Sequence, residues 1–390
     1  MKRCLGTSVT RGGRIAILRS NPVAPDPRVE REARALGRQG FAVRMVAWDR
    51  AGTFPLREER PYAVIERIRL PARYGTGLRN LRPLLHWQLR LWTWLLRHRH
   101  GYDVIHACDF DTVLPAIFMK WFFGKRVVYD IFDFYADALR HTPRWIRAAI
   151  RALDTWIIGR VDAVILADEA RRGQVRAFAA KRVVFVYNSP ERLSVPEDAS
   201  RSRRSRFVIA YVGLLQRERG ILEVLEVIAH NPDWLLEIAG FGADEEVVQR
   251  RALRLPNARF HGRVSYPTAL AIYARSDVMF ATYDPRVPNH RYASPHKLFE
   301  AMMLGKPIIV ARGTGIDRLV QHHGLGAVVE YGDARQLEET LKGIAAWSGE
   351  ERARFATRAR SVYDQHFAWE KMEARLAELY AALLNDGMAR

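Results

Sequence analysis

The residues best placed to do chemistry lie in the second half of the chain. Tyr211-Val212-Gly213-Leu214-Leu215-Gln216-Arg217-Glu218-Arg219-Gly220 reads as a strand, a glycine turn and a basic cluster at a helix start. Backbone amides at a helix N-terminus, with a cation beside them, make a cradle for a diphosphate. The same stretch also reads as a plain strand-to-helix turn with solvated arginines. A second element, YASPHKLFEAMMLGKP, runs from Tyr292 to Pro307. Here Ser294 is expected as N-cap and Pro295 as the first helical residue, with Gly305 ending the helix. Lys297 stands beside the first-turn amides, and Glu300 follows on an otherwise apolar stretch, as a ligand-binding carboxylate or as a solvated face. Asp109 and Asp111 have the spacing of a divalent-ion pair but follow a strand of the first half, away from the anion cradle, so no metal site is expected.

Around these residues short β-rich runs alternate with longer helical patterns. Ile15–Arg19, Val43–Ala47, Val104–His106 and Val127–Ile131 are mostly apolar, as expected of parallel strands covered on both faces. Helical patterns such as Val29–Gln39, Leu81–His98 and Trp145–Ile158 separate them. Ser189–Arg206, SPERLSVPEDASRSRRSR, has no hydrophobic period and reads as a linker. The alternation restarts with strands at Val208–Val212, Leu235–Ala239, Val278–Thr282 and Ile308–Val310. The expected architecture is α/β, two doubly wound Rossmann-like domains, with residues 1–190 in the first, 191–206 as linker and 207–366 in the second. The default ligand site of such a pair is a cleft at the carboxyl ends of the strands.

The chain has 390 residues, 48% hydrophobic and 27% charged, which excludes a disordered or fibrous protein. Its net charge of +19 calls for a polyanionic partner: nucleic acid, an anionic membrane or a phosphorylated substrate. Cys4 and Cys108 are too few for a disulfide framework or a cysteine zinc site. Met1–Gly13 is basic without the apolar stretch of a signal peptide, and the apolar run Leu84–Leu96 is broken by His86, Gln88 and Arg90. A cytoplasmic location is expected.

Taken in order, these pieces resemble the retaining glycosyltransferases of family 4, which have the GT-B fold of two Rossmann-like domains facing a central cleft. The resemblance rests on Asp26–Ala33 with Gly40, Tyr102–Asp109, Val128-Tyr129-Asp130 and Tyr187-Asn188-Ser189-Pro190 in the first half. In the second half it rests on Val212–Gly220, Ile238–Gly242, Phe260–Val264, Ser276-Asp277-Val278 and, most specifically, Ser294–Pro307. The resemblance implies hexosyl transfer from a UDP- or GDP-linked sugar, the nucleotide sugar being a co-substrate and no metal or other cofactor being required. It places Glu300 on the ribose hydroxyls, and Ser294 and the amides of His296, Lys297 and Leu298 on the diphosphate. Gly213 and Arg219 fall at its phosphate site, and Gly262, Arg263 and Val264 against the base. It also puts His106 and Asp109 at the donor sugar as catalytic contacts. Three positions depart from the family pattern. Tyr292 stands where a first glutamate binds a sugar hydroxyl, Leu214 replaces an arginine, and His106-Ala107-Cys108 keeps one histidine of a His-x-His. Tyr292 is therefore a candidate sugar contact. In the last segment, His366–Leu384 has an amphipathic helical pattern, and in GT-B relatives the last helix crosses back onto the first domain, so residues 367–390 are expected there.

The basic charge is uneven. From Arg67 to Tyr102 there are eight arginines and no acidic residue, and Arg82, His86, Arg90, Thr93 and Arg97 share one stripe of the Leu81–Arg97 helix. Arg140, Arg144, Arg147 and Arg151 line another helix face. Such helices suit the surface of an anionic membrane or, alternatively, burial in the domain. The family implies lipid-linked or oligosaccharide acceptors, hence a peripheral position on the inner membrane face. The competing readings are a nucleic-acid-binding protein without catalysis, for which no basic-aromatic platform or known motif is present, and a nucleotide-sugar epimerase on the same fold.

Overall fold

The computed structural model describes residues 12–72, 80–139, 142–175, 180–192 and 206–388. Cys4, Arg140 and linker residues 193–205 lie outside them. The chain divides into two compact units, one comprising Met1–Tyr187 with Met372–Arg390, the other Asn188–Lys371.

The first unit is built on one sheet. Its strands are β1 (Arg14–Arg19), β2 (Ala42–Asp49), β3 (Arg57–Arg60), β4 (Ala63–Arg69), β5 (Val104–Cys108), β6 (Arg126–Ile131), β7 (Ala163–Leu166) and β8 (Val183–Phe185). They lie in the order β3-β4-β2-β1-β5-β6-β7-β8, and among these pairs only β3 runs antiparallel, to β4. That edge strand, Arg-Glu-Glu-Arg, is short and fully charged, a composition that discourages pairing with another chain. Helix α1 (Pro27–Arg38) starts where Asp26 accepts a bond from the Val29 amide and proline occupies the first turn. Helices α2 (Leu81–Arg97), α3 (Phe110–Phe123) and α4 (Arg144–Ile158) follow. Trp87, Leu91 and Leu95 of α2 are buried, with Trp87 stacked on Trp48 at 5.1 Å, so one apolar face of this helix belongs to the core.

The second unit has a fully parallel sheet. Its strands are β9 (Phe207–Leu214), β10 (Trp234–Phe241), β11 (Ala258–Phe260), β12 (Val278–Ala281), β13 (Ile308–Ala311) and β14 (Gly326–Val329). The order β11-β10-β9-β12-β13-β14 reverses direction between β9 and β12, the switch point at which doubly wound folds bind ligands. Connecting helices are α5 (Ile221–His230), α6 (Glu245–Ala252), α7 (Tyr266–Ala274), α8 (His296–Leu304), α9 (Ile316–His323), α10 (Ala334–Ala345) and α11 (Gly349–Val362). Residues after Tyr187 are tied to this unit. The Asn188 amide donates to Ser294 O at 2.7 Å, and the Tyr363 hydroxyl donates to Pro190 O at 2.6 Å.

The last helix, α12 (Trp369–Met388), belongs from Met372 onward to the first unit. Met372, Leu376, Leu379, Tyr380 and Leu383 are buried. Arg375 donates to Phe185 O at 2.8 Å, and Glu373 pairs with Arg38 at 2.8 Å. Boundaries differ from expectation: residues 188–190 and 367–371 fall in the second unit and not in the first. Helix α8 starts at His296 with Pro295 as its cap and no side-chain cap bond, so Ser294 is not the N-cap. Its carbonyl is instead the acceptor that anchors Asn188.

The tightest backbone approach joins β9 and β10. Gly240 has φ 148°, and a Cβ there would lie 1.8 Å from Gly213 O. Gly240→Ala is expected to destabilise the protein by about 3 kcal/mol or more, since neither backbone can yield cheaply. Gly343→Ala, in α10 with open space around the new methyl, should instead stabilise by about 0.5–1 kcal/mol. Urea unfolding of both variants checks this.

Candidate functional site

At the switch point of the second unit, Gly213 is the penultimate residue of β9, and the Lys297 side chain fills the space above it. A Cβ at position 213 would lie 3.1 Å from both Cε and Nζ of Lys297. The ammonium rests 3.7 Å from the centre of the Tyr211 ring and 5.6 Å from that of Tyr283. Lys297 is buried, yet it makes no hydrogen bond or ion pair among the described residues. Burial holds its pKa well below the usual lysine range, the charge of Arg219 adds to the depression, and Glu300 opposes it.

Arg219 arrives from the turn Arg217–Arg219, which Gly220 ends at φ 68°. A Cβ on Gly220 would sit 2.0 Å from Thr282 Oγ1, so glycine is required for this close approach to the end of β12. The Arg219 guanidinium stacks on the Tyr283 ring at 4.4 Å and bonds its hydroxyl. Burial raises the Tyr283 pKa while Arg219 pulls it down. Two cations thus converge on a pair of aromatic rings.

Helix α8 brings the remaining groups. His296 Nδ1 lies 2.9 Å from Asn188 O, while the Asn188 amide holds Ser294 O, so one asparagine clamps both sides of the helix start. With no side-chain cap at Pro295, the first-turn end of α8 is left open to an anion. Leu298 and Glu300 are buried in the same helix. The Glu300 charge acts on Lys297, Tyr273 and Tyr283. The Tyr273 hydroxyl is bound to both backbone groups of Val212, at 3.0 and 2.7 Å, which fixes β9 beside them.

Gly213, Arg219, Lys297 and Glu300 are therefore brought together. Arg263 and Val264 follow β11 on a separate part of the strand ends. The Gly240 amide donates to Gly262 O at 2.7 Å, and Arg263 lies over the exposed Phe241 ring at 4.5 Å. Tyr292 ends the turn Pro288–Tyr292 half-buried, and its hydroxyl makes no hydrogen bond among the described residues. Tyr211, Tyr283, Tyr273 and Asn188 were given no role by sequence reasoning. Of these, Asn188 carried a signal as part of the Tyr187–Pro190 run and Tyr211 as the first residue of the Tyr211–Gly220 stretch.

In the first unit His106 and Asp109 have different surroundings. His106 lies within β5 with no exposed surface; Nδ1 is 2.6 Å from the Tyr380 hydroxyl, and Nε2 is 3.4 Å from Asp130. Asp130 is held in turn by Arg28 at 2.9 Å. His106, Cys108 and Asp130 place ligand atoms within 4.8 Å of one another, but the Arg28 guanidinium already occupies Asp130, and burial pushes the Cys108 thiol pKa up, both unfavourable to a cation. Asp109 caps the start of α3 at φ 65°, a strained conformation for a residue with a side chain. It accepts from Arg19 at 2.5 Å and from the Phe132 amide at 3.0 Å, between the carboxyl ends of β1, β5 and β6. Burial raises its pKa to about 7 against the pull of Arg19, with Asp111 adding to the rise.

Residues 24–189 match the family of glycosyl transferase 4-like domains, and residues 197–362 match the glycosyl transferases group 1. An uncharacterized glycosyltransferase of Haemophilus influenzae is 28% identical over 126 residues, which span 32% of this chain and only 33% of that relative. Among solved structures, sucrose-phosphate synthase of Thermosynechococcus elongatus matches with a TM-score of 0.77 at 18% identity, covering 96% of this chain and all of the other. HepE of Anabaena, in complex with UDP and glucose, matches with a TM-score of 0.73 at 17% identity, covering 95% and 100%. The catalytic domain of starch synthase IV from Arabidopsis thaliana, bound to ADP and acarbose, gives 0.69 at 13% identity, covering 96% and 100%.

The Asp109 carboxyl gives a pH signature. Below about pH 4 folded and unfolded chains both hold its proton; between there and about 7 only the folded chain does. Its contribution to stability therefore falls as pH rises through that window and levels off above it. The stability of Asp109→Asn relative to wild type should rise from pH 4 to about 7 in urea titrations. A flat difference would show that Asp109 does not hold its proton.

Proposed function

The chain belongs to the GT4-type glycosyltransferases of the GT-B fold, and from that premise we propose that its second unit binds a UDP- or GDP-linked sugar, whose sugar passes with retention to a lipid-linked or glycan acceptor. The observation that carries this reading is Lys297: a buried ammonium without a hydrogen bond among the described residues, beside a second cation and the uncapped start of a helix. A diphosphate supplies the missing counter-charge. HepE, whose structure holds UDP and glucose, shares the fold.

In this reading Lys297, Arg219 and the α8 amides take up the negative charge that grows on the diphosphate as the sugar–phosphate bond lengthens. They do the work that a divalent ion would otherwise do, so metal-independent transfer is part of the proposal. Glu300 accepts from the ribose hydroxyls, and the backbone near Gly262, Arg263 and Val264 faces the base. Tyr292, whose hydroxyl makes no hydrogen bond among the described residues, is assigned to the sugar. The acceptor oxygen attacks C1 on the leaving-group face as the C1–O bond to phosphate breaks, and its proton passes to the departing phosphate oxygen. This route preserves the anomeric configuration. In the first unit the polar contact to sugar or acceptor is assigned to Asp109, whose side chain is 21% exposed; His106, wholly buried, acts through Tyr380 and Asp130 as a positioning residue. Among the described residues no helix is long and apolar enough to cross a membrane, and a peripheral position at the cytoplasmic face is proposed.

A panel of nucleotide sugars assayed by nucleotide release, with and without lipid-phosphate acceptors, tests the activity. Glu300→Ala should raise the nucleotide dissociation constant about ten-fold or more, from lost bonds to a charged acceptor. Tyr292→Phe should leave it unchanged while lowering turnover. Unaltered nucleotide affinity in Glu300→Ala overturns the site assignment.

Binding should also be linked to pH. An incoming diphosphate raises the depressed Lys297 pKa, so affinity falls as pH rises through the titration of the unliganded ammonium. Calorimetry in buffers of different ionisation heat should record proton uptake in that range. Lys297→Arg, which keeps its charge, should abolish the uptake.

A further inference from the structure

A cavity of about 350 Å³ lies in the first unit between α2 and the end of the β3–β4 hairpin where β4 finishes in Ile68 and Arg69. Its apolar floor is Leu56, Ile68 and Trp94; Arg69, Arg90 and Arg97 stand around it, and no carboxylate lines it. Arg90 and Arg97 make no hydrogen bond or ion pair among the described residues. The neighbouring carboxylate, Glu66, is already engaged by the Trp94 indole at 2.7 Å and by Arg44 at 3.6 Å. Arg69 is partly committed, donating to Phe54 O at 2.6 Å. The cavity thus offers two uncommitted guanidinium groups over an apolar base, which suits a phosphate attached to something greasy.

The surface beside it has matching chemistry. Leu81, Leu85 and Leu89 recur every four residues on α2 and are more than half exposed. Trp92, further along the helix, meets Phe118 of α3 edge-on at 5.1 Å. Helix α3 ends in Trp121, Phe122 and Phe123, which are 52, 65 and 40% exposed. Trp121 meets Trp156 of α4 at 5.3 Å, and Arg160 covers the Trp156 ring at 4.0 Å. On the α3 and α4 side the acidic groups are buried or paired: Asp111 and Asp154 are buried, and Asp162 is paired with Lys120 at 2.6 Å. On β3, Glu58 is paired with Arg60 at 2.7 Å and Glu59 with Arg57 at 2.9 Å. An exposed leucine ridge and aromatic corner, set among arginines, resembles the interfacial layer of membrane-bound helices. A second copy of the chain would bring like charges together on this face.

We infer that this face of the first unit docks on an anionic bilayer, with the phosphate of one anionic lipid seated between Arg90 and Arg97. The inference rests on the proposed membrane-side location and adds to it a headgroup site and the residues that enter the interface.

Sedimentation with vesicles tests it, using phosphatidylcholine alone and phosphatidylcholine with about a third phosphatidylglycerol. Wild type should bind the anionic vesicles and not the neutral ones. Arg90→Glu with Arg97→Glu should weaken binding about ten-fold or more, and Trp121→Ser with Phe122→Ser should weaken it at unchanged charge. Unaltered far-UV circular dichroism and thermal unfolding of both variants verify that the first unit folds, and unaltered nucleotide affinity verifies the second. Inorganic phosphate alone separates the two sources of the anion. A thermal shift by phosphate that disappears in Arg97→Glu, without vesicle binding by wild type, assigns the cavity to a soluble phosphate and overturns the lipid. Vesicle binding untouched by the arginine variants overturns the headgroup site. Displacement of bound vesicles by a single-stranded oligonucleotide that itself requires Trp121 and Phe122 assigns the face to nucleic acid and overturns the bilayer. Absence of vesicle binding with nucleotide release intact refutes this inference alone; vesicle binding without nucleotide binding or release refutes the proposed function alone.

Discussion

A buried ammonium that faces aromatic rings instead of a carboxylate is expensive to maintain, and the second unit is organised around that expense. Lys297 can lie on Tyr211 only because residue 213 has no side chain. Gly213 can bend there only because Gly240 lets β10 approach its carbonyl. Tyr273 pins Val212 from the other side. Arg219, itself held on Tyr283, adds like charge where a stable apoprotein would prefer an acid. Such an arrangement trades folding stability for a preorganised field, and it makes chemical sense when the compensating charge comes with a ligand.

The first unit handles buried charge in the opposite way, by pairing it internally. Arg28 bonds Asp130 and lies 3.2 Å from Glu32, His106 sits between Asp130 and Tyr380, and none of these side chains is appreciably exposed. Asp130 keeps its charge because Arg28 and His106 oppose the effect of burial. Burial and the neighbouring Asp130 push the Glu32 carboxyl well above the usual range, with Arg28 opposing them. The Arg28–Asp130–His106–Tyr380 contacts of this cluster tie α1, β5, β6 and α12 to one another, while the Glu32 carboxyl oxygens make no hydrogen bond among the described residues.

Much of this was legible in the sequence because parallel strands covered on both faces announce themselves as apolar runs. The expected Val127–Ile131 strand lies within β6, and Leu235–Ala239 lies wholly within β10. Strand β3 escaped notice because Arg-Glu-Glu-Arg carries no apolar signal, and β11 is only three residues long. Helix α3 was missed for a different reason: Phe110–Phe123 is apolar nearly all round and contains Pro115, so it shows no helical period. The convergence of Gly213, Arg219, Lys297 and Glu300 was readable from their motifs. Tyr211, Tyr283 and Tyr273 were not, since their roles arise from adjacency across the sheet, which no local pattern encodes. The same limit hid the burial of His106, whose neighbours come from α1, β6 and α12.

The origin of one of those neighbours has a bearing on synthesis. Tyr380 comes from the last helix, yet it bonds a histidine in the middle of the first sheet. On the ribosome His106, Arg28 and Asp130 emerge long before Tyr380 does. Through most of translation the nascent first unit therefore holds an imidazole without its phenolic partner and an apolar seat awaiting Met372, Leu376 and Leu383. Its strands can assemble early, but its core closes only after the whole second unit has been made. Until those last helical turns arrive, the N-terminal half presents to water apolar surface that the finished fold covers.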